Sequence, residues 1–142
     1  MNAEFKECLE KRKLVRFSLA KRLVKTETEQ AKNDLVDAKD SLKAKKYKWA
    51  TIQAYYSMFH ASRSLIYRKG YREKSHYALM IALKTLYSEE GWISRKILDD
   101  FQTAKNLREE ADYHATYSKK GAQSLVETAE DFINLIEQKT GK

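Results

Sequence analysis

The sequence predicts an all-α fold, an up-and-down bundle of five or six helices, and three observations carry that expectation. There is no proline and only four glycines in 142 residues, so chain breaks are confined to a few positions. Apolar residues recur every three to four positions over most of the chain, which is the period of one helix face. Ser, Thr and Gly stand where those periodic runs begin and end, as helix caps require. A hydrophobic fraction of 42% can supply one core, and 34% charged residues can cover it.

A first helix is expected over residues 2–24, inside a basic N-terminal helix of residues 1–25. Phe5, Cys8, Leu9, Val15, Leu19 and Leu23 form its apolar side. Thr26 followed by Glu29 has the spacing of a capping box, in which hydroxyl and carboxylate each satisfy a backbone N–H. The second helix then runs to about Lys45 on Ala31, Leu35, Ala38 and Leu42. The third covers Tyr47 to Lys69 and is apolar on two sides. One stripe is Trp49, Ile52, Tyr56 and Phe59; the other is Ala50, Ala54, Met58, Ala61 and Leu65. A helix with two apolar sides belongs at the centre of a bundle. Gly70 follows it, where a left-handed cap is expected.

Ser75 caps a fourth helix built on Leu79, Ala82, Leu83 and Leu86, which Gly91 ends. Ser94 caps a fifth, carrying Ile97, Phe101 and Ala104. Ser118 caps a sixth, in which Ala122, Leu125, Val126, Ala129, Phe132, Ile133 and Ile136 keep the helical period. No linker or repeat interrupts the pattern. The expectation is one domain, with residues 26–138 as its core.

The net charge of +8 is unevenly placed. Residues 1–25 hold eight basic and three acidic groups, and residues 26–42 hold two and five. Residues 43–74 hold nine basic groups against Glu73 alone, and residues 75–142 hold nine and eleven. So basic a segment attracts polyanions, with RNA the first candidate; a solvated lysine-rich face is the plain alternative. The charge-poor stretch from Trp49 to Tyr67 contains Arg63, His60, Gln53 and several hydroxyls, too polar for a membrane span. The N-terminal residues Asn2, Glu4 and Lys6 do not begin a secretory signal, and one cysteine, Cys8, suits a reducing compartment. The expected location is the cytoplasm.

One residue breaks its own helix pattern. The fifth stripe runs Ile97, Phe101, Ala104, Arg108, Ala111, Ala115, so Arg108 stands at an apolar position. A guanidinium keeps its charge and must find acceptors or water there. Pairing with Asp112 four residues on is the structural explanation; anion binding is the functional one. His114 follows six residues later. On an unbroken helix, steps of about 100° set the two side chains about 240° apart. They face one site only if the helix ends near Tyr113 or a second subunit joins them. Otherwise His114 is a surface residue near a helix end. Paired cysteines, metal-ligand spacings and Gly-rich phosphate loops are absent, so no metal and no cofactor are expected. His60 reads as a core histidine, and Tyr55, Tyr56 and Phe59 as core aromatics rather than a stacking platform.

The run Ala54-Tyr55-Tyr56-Ser57-Met58-Phe59-His60-Ala61-Ser62-Arg63-Ser64-Leu65 resembles the central helix of small stand-alone HEPN proteins. Gly70 through Lys74-Ser75-His76 resembles the turn after it, and Leu107-Arg108-Glu109-Glu110-Ala111-Asp112-Tyr113-His114 the family's arginine segment. Together these cover about residues 25–138. The resemblance implies a helical bundle, commonly a homodimer. It implies a metal-independent RNA endonuclease in members with an Arg-x(4–6)-His motif, often toxins of toxin–antitoxin pairs. Arg108 and His114 would be its catalytic pair, with Glu109 and Asp112 in support. The resemblance also implies a minimal nucleotidyltransferase as partner and antitoxin, with Tyr117 as the tyrosine it modifies. Lys43, Lys45, Lys46, Lys48, Arg68, Lys69, Arg72 and Lys74 would hold RNA phosphates. The alternative is a non-catalytic HEPN module that binds a nucleotidyltransferase or a nucleotide.

Overall fold

A computed structural model describes residues 2–140. The fold is an all-α helical bundle of six helices with one small antiparallel ribbon. The elements are α1 (Ala3–Glu10), β1 (Leu14–Arg16), a 3-10 turn (Ala20–Leu23), α2 (Val24–Lys43), α3 (Tyr47–Arg68), β2 (Tyr71–Glu73), α4 (His76–Leu83), α5 (Arg95–Tyr113) and α6 (Lys119–Thr140). The chain divides into two compact units. One takes the residues up to Thr28 with Ser62–Leu98; the other takes Glu29–Ala61 with the residues from Asp99 on.

The N-terminal segment departs from the expected single helix over residues 2–24. α1 starts on Asn2, whose side chain accepts from the Phe5 N–H, and stops at Glu10. Arg12 then adopts φ 58°, a left-handed conformation that turns the chain out of the helix. The next residues pair with β2, and Leu14 becomes fully buried. A period-3.6 reading cannot register such a break, because Val15 and Leu19 still fall on the helical stripe. The expected capping box also fails to form as a start. The 3-10 turn feeds directly into α2 at Val24, so Thr26 lies inside the first turn.

α3 follows its two-sided pattern on one side fully. Ala50, Ala54, Met58, Ala61 and Leu65 are all buried. The other stripe is uneven: Ile52 is buried, Tyr56 and Phe59 are half-buried, and Trp49 is 50% exposed. Ser57, buried on α3, donates to the Ala31 carbonyl of α2 at 2.8 Å, which satisfies its hydroxyl. Gly70 takes φ 83° after α3, as a left-handed cap requires.

The other caps also form. The Ser75 hydroxyl accepts from Ala78 N–H, that of Ser94 from Ile97 N–H, and that of Ser118 from Gly121 N–H. α4 widens into a π turn over Lys84–Ser88 before Gly91 ends it at φ 76°. All seven apolar residues expected on α6 are buried. Among the described residues, no helix is long and apolar enough to cross a membrane.

In the first unit, α2, α3 and β2 meet at a buried charge cluster. The Arg63 guanidinium lies 3.4 Å from the Glu27 carboxylate and 3.2 Å from that of Glu73, and it donates to the Tyr67 hydroxyl. Burial pushes the Glu73 carboxyl above the usual carboxylate range, and Arg63 offsets that only in part. Glu73, the one acid of the basic segment 43–74, therefore balances an internal arginine.

Candidate active site

The site lies in the second unit, at the C-terminal end of α5. Phe101, Ala104 and Ala111 of the α5 stripe are buried, and the stripe carries Arg108 inward among them. Arg108 is half-buried, with its guanidinium among tyrosines. One terminal nitrogen donates to the Tyr56 hydroxyl at 2.9 Å, the other to the Tyr113 hydroxyl at 3.2 Å. The guanidinium carbon lies 5.4 Å from the ring centres of Tyr55, Tyr56 and Tyr113, within cation–π range. Burial acts to lower the Arg108 pKa, but the hydroxyls of Tyr56 and Tyr113 outweigh it, and the net shift is upward. The buried Nε of Arg108 has no hydrogen-bond partner. Each terminal nitrogen carries a second N–H, and these are the donors left for a further acceptor.

α5 ends at Tyr113. The His114 N–H still reaches the Glu110 carbonyl at 3.1 Å, but Ala115 turns to φ 51° and Thr116 N–H returns to that carbonyl at 3.0 Å. A left-handed alanine costs roughly 1–2 kcal/mol more than glycine would, and it stops the helix sharply. His114 is exposed just past that end, next to the tyrosine that Arg108 holds.

The other expected site residues are placed as follows. Glu109 is half-buried and pairs with Lys105 at 3.8 Å, one turn earlier. Asp112 is exposed, and the donors of Arg108 go to the tyrosines instead of to it. Tyr117 is 50% exposed, in the segment between α5 and α6. Along the chain, the basic residues named for RNA fall into one group before and at the start of α3 and another at and after its end. Lys43, Lys45 and Lys46 are exposed before α3, and the Lys48 ammonium covers the Trp49 ring. Arg68 is half-buried at the other end of α3. The Lys69 ammonium lies over the Tyr87 ring, the Arg72 guanidinium over Phe17, and Lys74 is exposed.

Sequence reasoning missed Tyr56 and Tyr113 as partners of Arg108. Tyr56 sits on the same α3 stripe as exposed Trp49, a sign that the stripe is not all core. His60 lies 3.8 Å from Asp34, within the bundle as expected. Cys8 is buried, and burial pushes its thiol pKa up, which leaves it a poor nucleophile at neutral pH. Among the described residues, no group of three or more His, Cys, Asp and Glu is placed to hold a metal.

The model of the HEPN domain matches residues 24–139. The chain belongs to the HEPN family. This HEPN chain is also similar to two proteins of Methanocaldococcus jannaschii named as putative toxins. One is 29% identical over 111 residues, covering 78% of this chain and 83% of the relative. The other is 25% identical over 108 residues, covering 75% and 74%. A UPF0332 protein of Archaeoglobus fulgidus is 29% identical over 108 residues, 75% of this chain and 86% of the relative. The family match begins at the start of α2, so α1 and β1 of this HEPN protein precede it.

Proposed function

We propose that this HEPN chain is an RNA endonuclease acting as a homodimer, in the role of a toxin. The observation that carries this reading is the end of α5 at Tyr113. His114 stands exposed at that end, one residue after the tyrosine to which Arg108 is bonded, and a second protomer brings to the site the His114 that a single helix turns away from Arg108. The reaction needs no protein nucleophile. The RNA 2′-oxygen attacks the adjacent phosphorus while His114 takes its proton. The bond to the 5′-oxygen breaks, and the second protomer's His114, protonated, returns a proton to that oxygen. Arg108 holds the scissile phosphate with its free donors and stabilises charge growing on its oxygens. The products are a 2′,3′-cyclic phosphate and a 5′-hydroxyl. Cleavage of RNA in EDTA, and its loss on single substitution of Arg108 or His114, is the test.

A second reading is favoured by one observation: the Arg108 donors already bind two tyrosine hydroxyls. On that reading the arginine ties α5 to α3, and the chain is a non-catalytic module for a nucleotidyltransferase partner.

Two further expectations follow. Equilibrium sedimentation at tens of micromolar should give a dimer. A monomer would remove the second proton donor from the mechanism. If a transferase partner modifies this chain, exposed Tyr117 is the acceptor. Mass spectrometry after co-expression should then find a nucleotidyl group on Tyr117, and modification confined to other residues would refute the assignment.

A further inference from the structure

β1 and β2 form a ribbon in which Leu14 faces Glu73, Val15 faces Arg72 and Arg16 faces Tyr71. The ladder extends by one residue at each end. Lys74 N–H donates to the Lys13 carbonyl at 2.8 Å, and Phe17 N–H to the Gly70 carbonyl at 2.9 Å. Side chains alternate between the two faces of a ribbon. Leu14, Tyr71 and Glu73 share the inward face, where the first two are buried and Glu73 turns to Arg63. The opposite face carries Lys13, Val15, Phe17, Arg72 and Lys74. Its three cations are exposed, and its two apolar side chains are half-buried between them. The Arg72 guanidinium lies 5.3 Å over the Phe17 ring.

One part of this arrangement works against stability. Lys13 and Lys74 stand opposite each other, and like charges directly opposite in a ladder are destabilising. Among the described residues, no carboxylate pairs with Lys13, Arg72 or Lys74. The ribbon's own acid is spent on the interior. A cost of this kind is retained where a ligand offsets it. Half of the ribbon, including Lys13, precedes the residues that match the HEPN family, and Arg72 and Lys74 lie within them.

We infer that the outer face of the β1–β2 ribbon docks an RNA strand. Lys13, Arg72 and Lys74 contact successive phosphates, and Phe17, packed against Tyr67, holds the Arg72 guanidinium in place over its ring. Cations spaced along a ribbon edge suit the regular phosphates of an RNA strand, and an arginine held flat over a ring presents its planar donor fork to a phosphate. The inference rests on RNA as the substrate, but it concerns binding, and its test does not depend on cleavage.

The probe is a single-stranded 2′-O-methyl RNA, which binds but lacks the nucleophile for cleavage. Affinity is read by fluorescence anisotropy across a salt series. The triple variant Lys13→Gln, Arg72→Gln, Lys74→Gln should bind on the order of 100-fold more weakly than the parent at 0.1 M salt. Its log–log salt slope should be shallower by about 2. Its melting temperature should not fall below that of the double variant Lys13→Gln, Lys74→Gln by more than loss of the Arg72–Phe17 contact explains, and the double variant should melt no lower than the parent. A control variant, Lys43→Gln, Lys45→Gln, Lys46→Gln, removes the same charge before α3 and should lose less affinity. Equal losses in the two triple variants would overturn the inference, since net charge alone would then set affinity. So would unchanged RNA binding, including the case in which the ribbon variant instead loses affinity for polyglutamate. Binding that depends on the ribbon in a protein that never cuts RNA would support the docking surface and reject only the nuclease.

Discussion

Replacing His114 with Ala should lower RNA cleavage in EDTA on the order of 10² to 10⁴-fold, the usual cost of one proton-transfer group. Arg108→Ala should cost about 10² to 10³-fold or more, because the fork that stabilises the phosphate oxygens is removed. The two losses have different side effects. His114 is exposed beyond α5, so its removal should leave the melting temperature where it was. Arg108 bonds Tyr56 and Tyr113, so its removal should also lower stability. Arg108→Lys separates the two roles. The ammonium keeps the charge and can reach one hydroxyl, but it lacks the planar fork. It should restore most of the stability and little of the rate. RNA affinity should fall modestly for Arg108→Ala and hardly at all for His114→Ala. A parent that does not cut RNA, with Arg108→Ala merely less stable and Arg108→Lys fully normal, would leave the interaction module as the account of this chain.

The largest stability effect is expected at Arg63. Arg63→Ala should destabilise the chain by about 3–5 kcal/mol at neutral pH, measured by urea unfolding. The reason is what it leaves behind: the carboxylates of Glu27 and Glu73, with side chains only 12% and 9% exposed, lose the cation between them. A loss below about 1 kcal/mol would mean that water reaches both carboxylates, and the cluster would be ordinary surface.

The deficit should also depend on pH, with a definite sign. Glu73 already has a raised pKa from burial, partly offset by Arg63. Without Arg63 the offset disappears and the pKa rises further. A carboxyl that holds its proton more tightly folded than unfolded favours the fold when protonated. That contribution is present below its ordinary value and is lost as pH rises through the folded-state value. The gap between parent and Arg63→Ala should therefore narrow as pH falls from neutral toward the carboxylate range. A gap that widens on acidification would contradict the cluster as described.

Much of this protein was legible in its sequence because local rules decide it. The caps at Ser75, Ser94 and Ser118 formed where a hydroxyl precedes a periodic run, since satisfying the first free N–H groups is a short-range matter. The stripes of α6 and of the Ala50–Leu65 side of α3 were buried as their period required. Arg108 declared itself by standing in an apolar register, and α5 ends at Tyr113, where the sequence allowed a helix end. The resemblance to HEPN proteins rested on the same residues, and family membership is now shown.

Tertiary structure decided what depends on partners far along the chain. The sequence counts Arg63 and Glu73 as two charges in one basic segment; only packing turns them into an internal cluster with Glu27. It places Tyr56 in a core stripe, and only the approach of α5 makes its hydroxyl the acceptor for Arg108. It reads residues 2–24 as one amphipathic helix, because helical period and strand pairing compete for the same apolar residues. The left-handed turn at Arg12 and the hydrogen bonds offered by β2 settle that competition for strand. A backbone partner nearly sixty residues away cannot be read from local spacing, and it is that partner which brings Lys13 opposite Lys74.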